Sequence, residues 1–167
     1  MDNVILIGMP GCGKSTVGVV LAKALGYDFI DSDLLIQQHE NKLLSEILES
    51  VGPWGFNKIE DDINASIQAE RTVIATGGSA IYGEKAMKHL ASSGTVVYIK
   101  LNFEEIERRI DSIHGRGISI EEGMDLKQLY DERTPLYEKY ADITVDTEGL
   151  NVRQSVLLIK HELENKR

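Results

Sequence analysis

Gly8-Met9-Pro10-Gly11-Cys12-Gly13-Lys14-Ser15, preceded by the apolar run Val4-Ile5-Leu6-Ile7, is the stretch whose reading decides the fold. It has the form G-x-x-x-x-G-K-S, and its context matters as much as its spelling. A buried strand must deliver the chain to a tight loop whose backbone N–H groups converge on phosphate oxygens. A helix must then start, so that its positive dipole end faces the anion. The loop predicts a nucleotide cradle made of Gly11, Cys12 and Gly13, with Thr16 in the first helical turn. Lys14 is expected to reach the β- and γ-phosphates, and the Ser15 hydroxyl to ligate Mg²⁺. An ordinary glycine-rich turn is the plain alternative, and the strand before and helix after argue against it.

Working outward, strand-length apolar runs recur at Val4 to Ile7, around Phe29-Ile30, at Thr72 to Ala75, at Thr95 to Leu101 and at Asp142 to Val145. Helical spacing fills the intervals: Ser15 to Leu25 with Gly26 as its stop, Asp33 to His39, Leu43 to Val51, Trp54 to Glu70, Glu84 to Ala91, Phe103 to Ser112, Glu121 to Tyr137 and Asn151 to Leu163. Strand and helix in alternation predict an α/β fold, a parallel sheet with helices on both faces. No linker or repeat divides residues 1–167, so one domain is expected. The helical stretch 34–70 is longer than a crossover needs and predicts a small helical region over the site. The polar, glycine-rich segment 113–123 reads as a lid, or more plainly as a solvated loop.

Composition sets limits. With 42% hydrophobic and 27% charged residues the chain is globular. A formal charge of −9 argues against nucleic acid or an anionic membrane as main partner. No signal peptide or membrane-length apolar run is evident. Cys12 is the one cysteine, which fits a reducing cytosol. A monomeric cytoplasmic enzyme with a small-molecule partner is the expectation.

Further residues point toward the loop. Asp31 and Asp33 end the second strand, where ligands of parallel sheets bind. One carboxylate suits the water shell of Mg²⁺ and the other the activation of an attacking hydroxyl; capping of the next helix by Asp33 is the bland alternative. Thr76-Gly77-Gly78-Ser79, after the third strand, allows close backbone approach to a ligand. Arg108, Arg109, Arg116 and Arg133 stand out in an acidic chain; Arg109 and Arg116 flank or occupy the lid, where a cation can close over phosphates. Trp54, Tyr130, Tyr137 and Tyr140 read as packing.

Taken together, the phosphate loop, Phe29-Ile30-Asp31-Ser32-Asp33, Phe56 with Glu60, Ala75-Thr76-Gly77-Gly78 and Arg133-Thr134-Pro135-Leu136-Tyr137 resemble the shikimate kinase family over nearly the whole chain. The resemblance implies the P-loop NTPase fold, a five-stranded parallel sheet in the order 2-3-1-4-5, and ATP-dependent phosphorylation of shikimate within aromatic amino acid biosynthesis. It assigns Lys14 and Ser15 to ATP and Mg²⁺, Asp31 to the metal through water, and Asp33 to the acceptor hydroxyl as base. Arg116 becomes the lid arginine acting on phosphates, Arg109 an ATP-side arginine, and Arg133 a partner for the substrate carboxylate. Asn57, Gly77 and Gly78 fall at substrate-facing positions.

Three positions depart from that pattern. Asn57 stands where the family has an arginine that pairs with the carboxylate, Ser79 replaces the third glycine of Gly-Gly-Gly, and Gly117 follows the lid arginine in place of proline. Lys58 is no simple substitute, since adjacent helix residues point about 100° apart. A kinase for another acid such as gluconate, a nucleoside monophosphate kinase, or a nucleotide-binding protein without catalysis are the alternatives.

Overall fold

The computed structural model describes residues 2–111 and 118–166. Its centre is β1 (Asn3–Ile7), every residue of which is buried. β1 pairs in parallel with β3 (Thr72–Ala75) on one side and β4 (Gly94–Lys100) on the other. β2 (Asp28–Asp31) flanks β3 and β5 (Ile143–Asp146) flanks β4, so the order is β2-β3-β1-β4-β5, all parallel. Strands covered on both faces lack polar alternation, which is why Val4-Ile5-Leu6-Ile7 and Val96-Val97-Tyr98-Ile99 read as unbroken apolar runs. Ile5, Leu6 and Ile7 are fully shielded, worth about 1.5–3 kcal/mol each.

The helices end where local chemistry ends them. α1 (Lys14–Leu25) starts after Gly13 and stops at Gly26, whose φ of 67° is left-handed. α2 (Ser32–Glu40) is capped by Asp31, whose side chain accepts from the Asp33 N–H. The cap is therefore Asp31 and not Asp33, and the helix begins earlier than the spacing suggested. The stretches 43–51 and 54–70 form α3 (Leu44–Ala65), bent where Gly52 (φ 69°) and Pro53 interrupt it. α3 stops well short of Glu70. Ser66 bonds back to the Ile63 carbonyl, and Ile67 and Ala69 give theirs to His89 and Asn3, drawing the chain out of the helix toward β3.

A short 3₁₀ turn (Ala80–Tyr82) precedes α4 (Glu84–Ser93), and α5 (Phe103–Asp111) follows β4. α6 (Leu126–Tyr140) starts later than expected and runs past Tyr137. Gly123, at φ 85°, turns the chain, and Asp125 with Gln128 forms a capping box. α7 (Val152–Asn165) is capped by Asn151. Tyr137 is fully buried and stacks on Tyr98, whereas Trp54, read as packing, is 83% exposed. Within the described residues no helix is long and apolar enough to cross a membrane.

Candidate active site

The carboxyl ends of β1, β2 and β3 open onto one cavity of about 520 Å³. This is where an open parallel sheet presents ligands to its loops and helix N-termini. From the loop after β1 come Pro10, Gly11, Gly13, Lys14, Ser15 and Thr16. Gly11 and Gly13 have φ of 80° and 98°, a region that strains any residue with a Cβ. Their conformation turns the loop around the first-turn N–H groups of α1, which have no partner within a helix. The loop thus fits a polyphosphate.

Lys14 is buried, and its Nζ donates to the Gly8 and Met9 carbonyls at 2.7 and 2.9 Å. The ammonium is thereby held against its own loop. Ser15 Oγ donates to Asp31 Oδ2 at 2.7 Å, while Asp31 Oδ1 caps α2. Hydroxyl and carboxylate oxygens suit Mg²⁺, which takes few protein ligands beside phosphates and water; the pair fits that ion, with Ser15 as ligand and Asp31 orienting it. Arg109 reaches over the loop from α5, its Nη1 donating to the Gly11 carbonyl and its Nε to Glu105. Bonds from Arg108 and then Arg109 push the Glu105 carboxyl down to about 2. Cys12, in the same loop, is buried.

Asp33, in the first turn of α2, lines the cavity together with Gly77 and Gly78. Gly77 N–H donates to Ser32 Oγ, and Tyr137 Oη donates to the Gly78 carbonyl at 2.6 Å, which fixes this turn. A Cβ on Gly77 would overlap Glu60 Oε2 and lie 2.8 Å from Asp33 Oδ1. Only glycine lets the two carboxylates pack this closely against the turn. Arg133 enters from α6, 1% exposed, its Nη2 donating to the Ser119 carbonyl at 2.6 Å.

Two described candidates do not line this cavity: Cys12, buried in the phosphate loop, and Asn57. Asn57 Oδ1 accepts from Ser119 Oγ at 3.2 Å, and the residue borders a second cavity with Lys58, Trp54 and Tyr82 rather than lining the first. Arg116 and Gly117 lie outside the described residues. From 118–123, Ile118 and Ser119 line the main cavity.

Glu60 and Ser79 also line the cavity; Ser79 belongs to the turn expected to approach a ligand, whereas the sequence reading gives Glu60 no role. Glu60 has a signal in the sequence: it is an acid on the apolar stripe Phe56, Glu60, Ile63 of one helix face, where a charge needs a reason. Burial pushes its carboxyl up to about 7, with Asp33 adding to the rise and Ser79, Arg133 and Lys14 opposing it. Ser79 Oγ donates to Glu60 Oε1 at 2.5 Å.

A phosphate loop bearing its lysine and serine, beside a cavity with an aspartate and a buried arginine, defines a small-molecule kinase of the phosphate-loop class. Comparison with known proteins narrows this. A sequence model described as shikimate kinase matches residues 10–164, and the chain belongs to the shikimate kinase family. Among curated relatives, the shikimate kinase of Thermodesulfovibrio yellowstonii is 36% identical over 167 residues, covering 98% of this chain and 96% of that protein. The shikimate kinase of Francisella philomiragia is 39% identical over 158 residues, covering 92% and 90%. Among solved structures, shikimate kinase from Acinetobacter baumannii in complex with shikimate superposes with a TM-score of 0.89 at 29% identity, covering 100% of this chain and 95% of that one.

Proposed function

We propose that this protein transfers the γ-phosphoryl group of ATP to a hydroxyl of shikimate, giving shikimate 3-phosphate. The carrying observation is that one cavity gathers Lys14 and Ser15 from the phosphate loop with Asp33 from α2 and Arg133 from α6. Family membership supports the same reading, as does a similar structure solved with shikimate. Lys14 and the N–H groups from Gly11 to Thr16 bind the phosphates, and Arg109 holds the nucleotide side. Asp33 accepts the proton of the attacking hydroxyl, and Arg133 anchors the acceptor carboxylate through charge-assisted bonds. Ser15, with Asp31 orienting its hydroxyl, would hold Mg²⁺, which would supply charge neutralisation for the phosphates. We assign 34–70 to acceptor binding and, on family membership alone, 113–123 to the lid with Arg116 as its cation. A monomeric cytoplasmic enzyme completes the proposal, in keeping with a chain that has one cysteine.

A second reading, another carboxylate-bearing polyol such as gluconate, is favoured by Asn57, which supplies no cation and bonds Ser119 instead. ADP release measured against shikimate, quinate, gluconate and nucleoside monophosphates separates the two. Shikimate is expected to give the highest kcat/KM. Turnover of gluconate with none of shikimate would transfer the assignment to the second acceptor, and turnover of nucleotides alone would overturn both.

A further inference from the structure

Arg133 lines the main cavity from α6, and groups outside that helix orient its buried guanidinium. The Tyr82 ring centroid lies 5.4 Å from the guanidinium carbon, and Nη2 donates to the Ser119 carbonyl at 2.6 Å. A ring face limits tilt, whereas a short charge-assisted bond sets direction. Where the guanidinium edge points therefore depends on Ser119. Yet Ser119 lies in the stretch 118–120, which belongs to no helix or strand, so no regular backbone bonding fixes its carbonyl.

Side chains fix it instead. Ile118 and Ile120 pack against the main core, which anchors the segment, but apolar packing is non-directional. Ser119 Oγ donates to Asn57 Oδ1 at 3.2 Å, between residues 62 apart, and a hydrogen bond does have direction. Asn57 sits on α3 between turns whose Phe56 and Glu60 are buried, so its oxygen is offered from a fixed helix face. Hydrogen bonds thus run from Asn57 on α3 through Ser119 to Arg133 on α6. Ser119 lines both cavities, whereas Asn57 lines only the second; Asn57 works from behind the wall of the main cavity. The family's arginine at this position has donors only and could not accept from Ser119 Oγ. The departure removes a cation that pairs with the acceptor and supplies an oxygen that steers the cation left behind.

We propose that Asn57 is a positioning residue: acting through Ser119, it orients Arg133 before the acceptor arrives. An arginine side chain fixed beforehand has already lost its rotamer freedom, so that loss no longer weakens acceptor binding. This deepens the reading given under Proposed function and rests on it.

The test compares Asn57→Ala, Ser119→Ala, the double variant and Ser119→Thr on the acid that gives the wild type its highest kcat/KM. Each single alanine variant is expected to raise the KM for that acid about three- to ten-fold, while kcat and the KM for ATP change by less than about two-fold. Both substitutions remove the same bond, so the double variant is expected to be no worse than the poorer single one. Ser119→Thr keeps the hydroxyl and is expected to stay near wild type. Single effects that multiply in the double variant would mean that the two residues act separately and overturn the proposal, as would a Ser119→Thr no better than Ser119→Ala. A crystal structure of Asn57→Ala without acceptor adds a reading that needs no turnover. Its Arg133 guanidinium is expected to leave the Ser119 carbonyl or to occupy more than one position, and a guanidinium ordered as in the wild type overturns the proposal. A wild type that phosphorylates none of the acids would instead refute the assigned activity, leaving the crystal structure to judge Asn57.

Discussion

Asp31 and Asp33 stand two residues apart and have different surroundings. Both line the cavity: Asp31 accepts from Ser15 Oγ and the Asp33 N–H, and Asp33 lies beside Gly77. If Asp33 is the base, Asp33→Asn is expected to lower turnover about 100-fold or more while Mg-ATP affinity, measured by calorimetry, holds. Asp31→Asn is expected to raise the Mg²⁺ concentration needed for half-maximal activity. Wild-type turnover by Asp33→Asn would leave this residue only a structural part of α2. These two aspartates and the phosphate loop were legible because their chemistry is written in contiguous spacing. The Ser79–Glu60 bond was not, because it joins residues nineteen apart that meet only when α3 packs against the turn after β3.

At the level of elements, α1 carries the phosphate loop at its N-terminus and must lie close to the sheet. Gly18 permits this: a Cβ there would come 2.7 Å from Phe29 Cε2 and 3.2 Å from Leu6 Cδ1. Gly18→Ala gains helix propensity but overpacks a contact with β1 and β2. The net expectation is a loss of about 1–3 kcal/mol, seen as a fall in Tm of about 2–10 °C. An unchanged Tm would mean that the Phe29 ring edge yields without cost. Element types were readable from period and length, and so was the stop at Gly26. Boundaries failed where a side chain outside the helical pattern decides them, as Asp125 does for α6 and the bonds of Ile67 and Ala69 do after α3.

For the whole molecule, alternating strands and helices implied a parallel sheet, but alternation does not give strand order, which came with the family resemblance and is the order observed. The same architecture buries Glu60 completely, and this makes global stability depend on pH. Burial raises its carboxyl from an ordinary 4.5 to about 7 in the folded protein, so the folded state holds a proton that the unfolded chain releases. Its contribution is fully present below about pH 4.5 and is lost as pH rises through the folded value. Relative to Glu60→Gln, which stays neutral throughout, the wild type is expected to lose about 2–3 kcal/mol of unfolding free energy between about pH 5 and pH 8. Denaturant unfolding of both proteins at the two pH values measures that difference directly. Parallel pH profiles would mean that Glu60 is already ionised in the folded protein near pH 5, with Arg133, Lys14 and Ser79 outweighing the cost of burial.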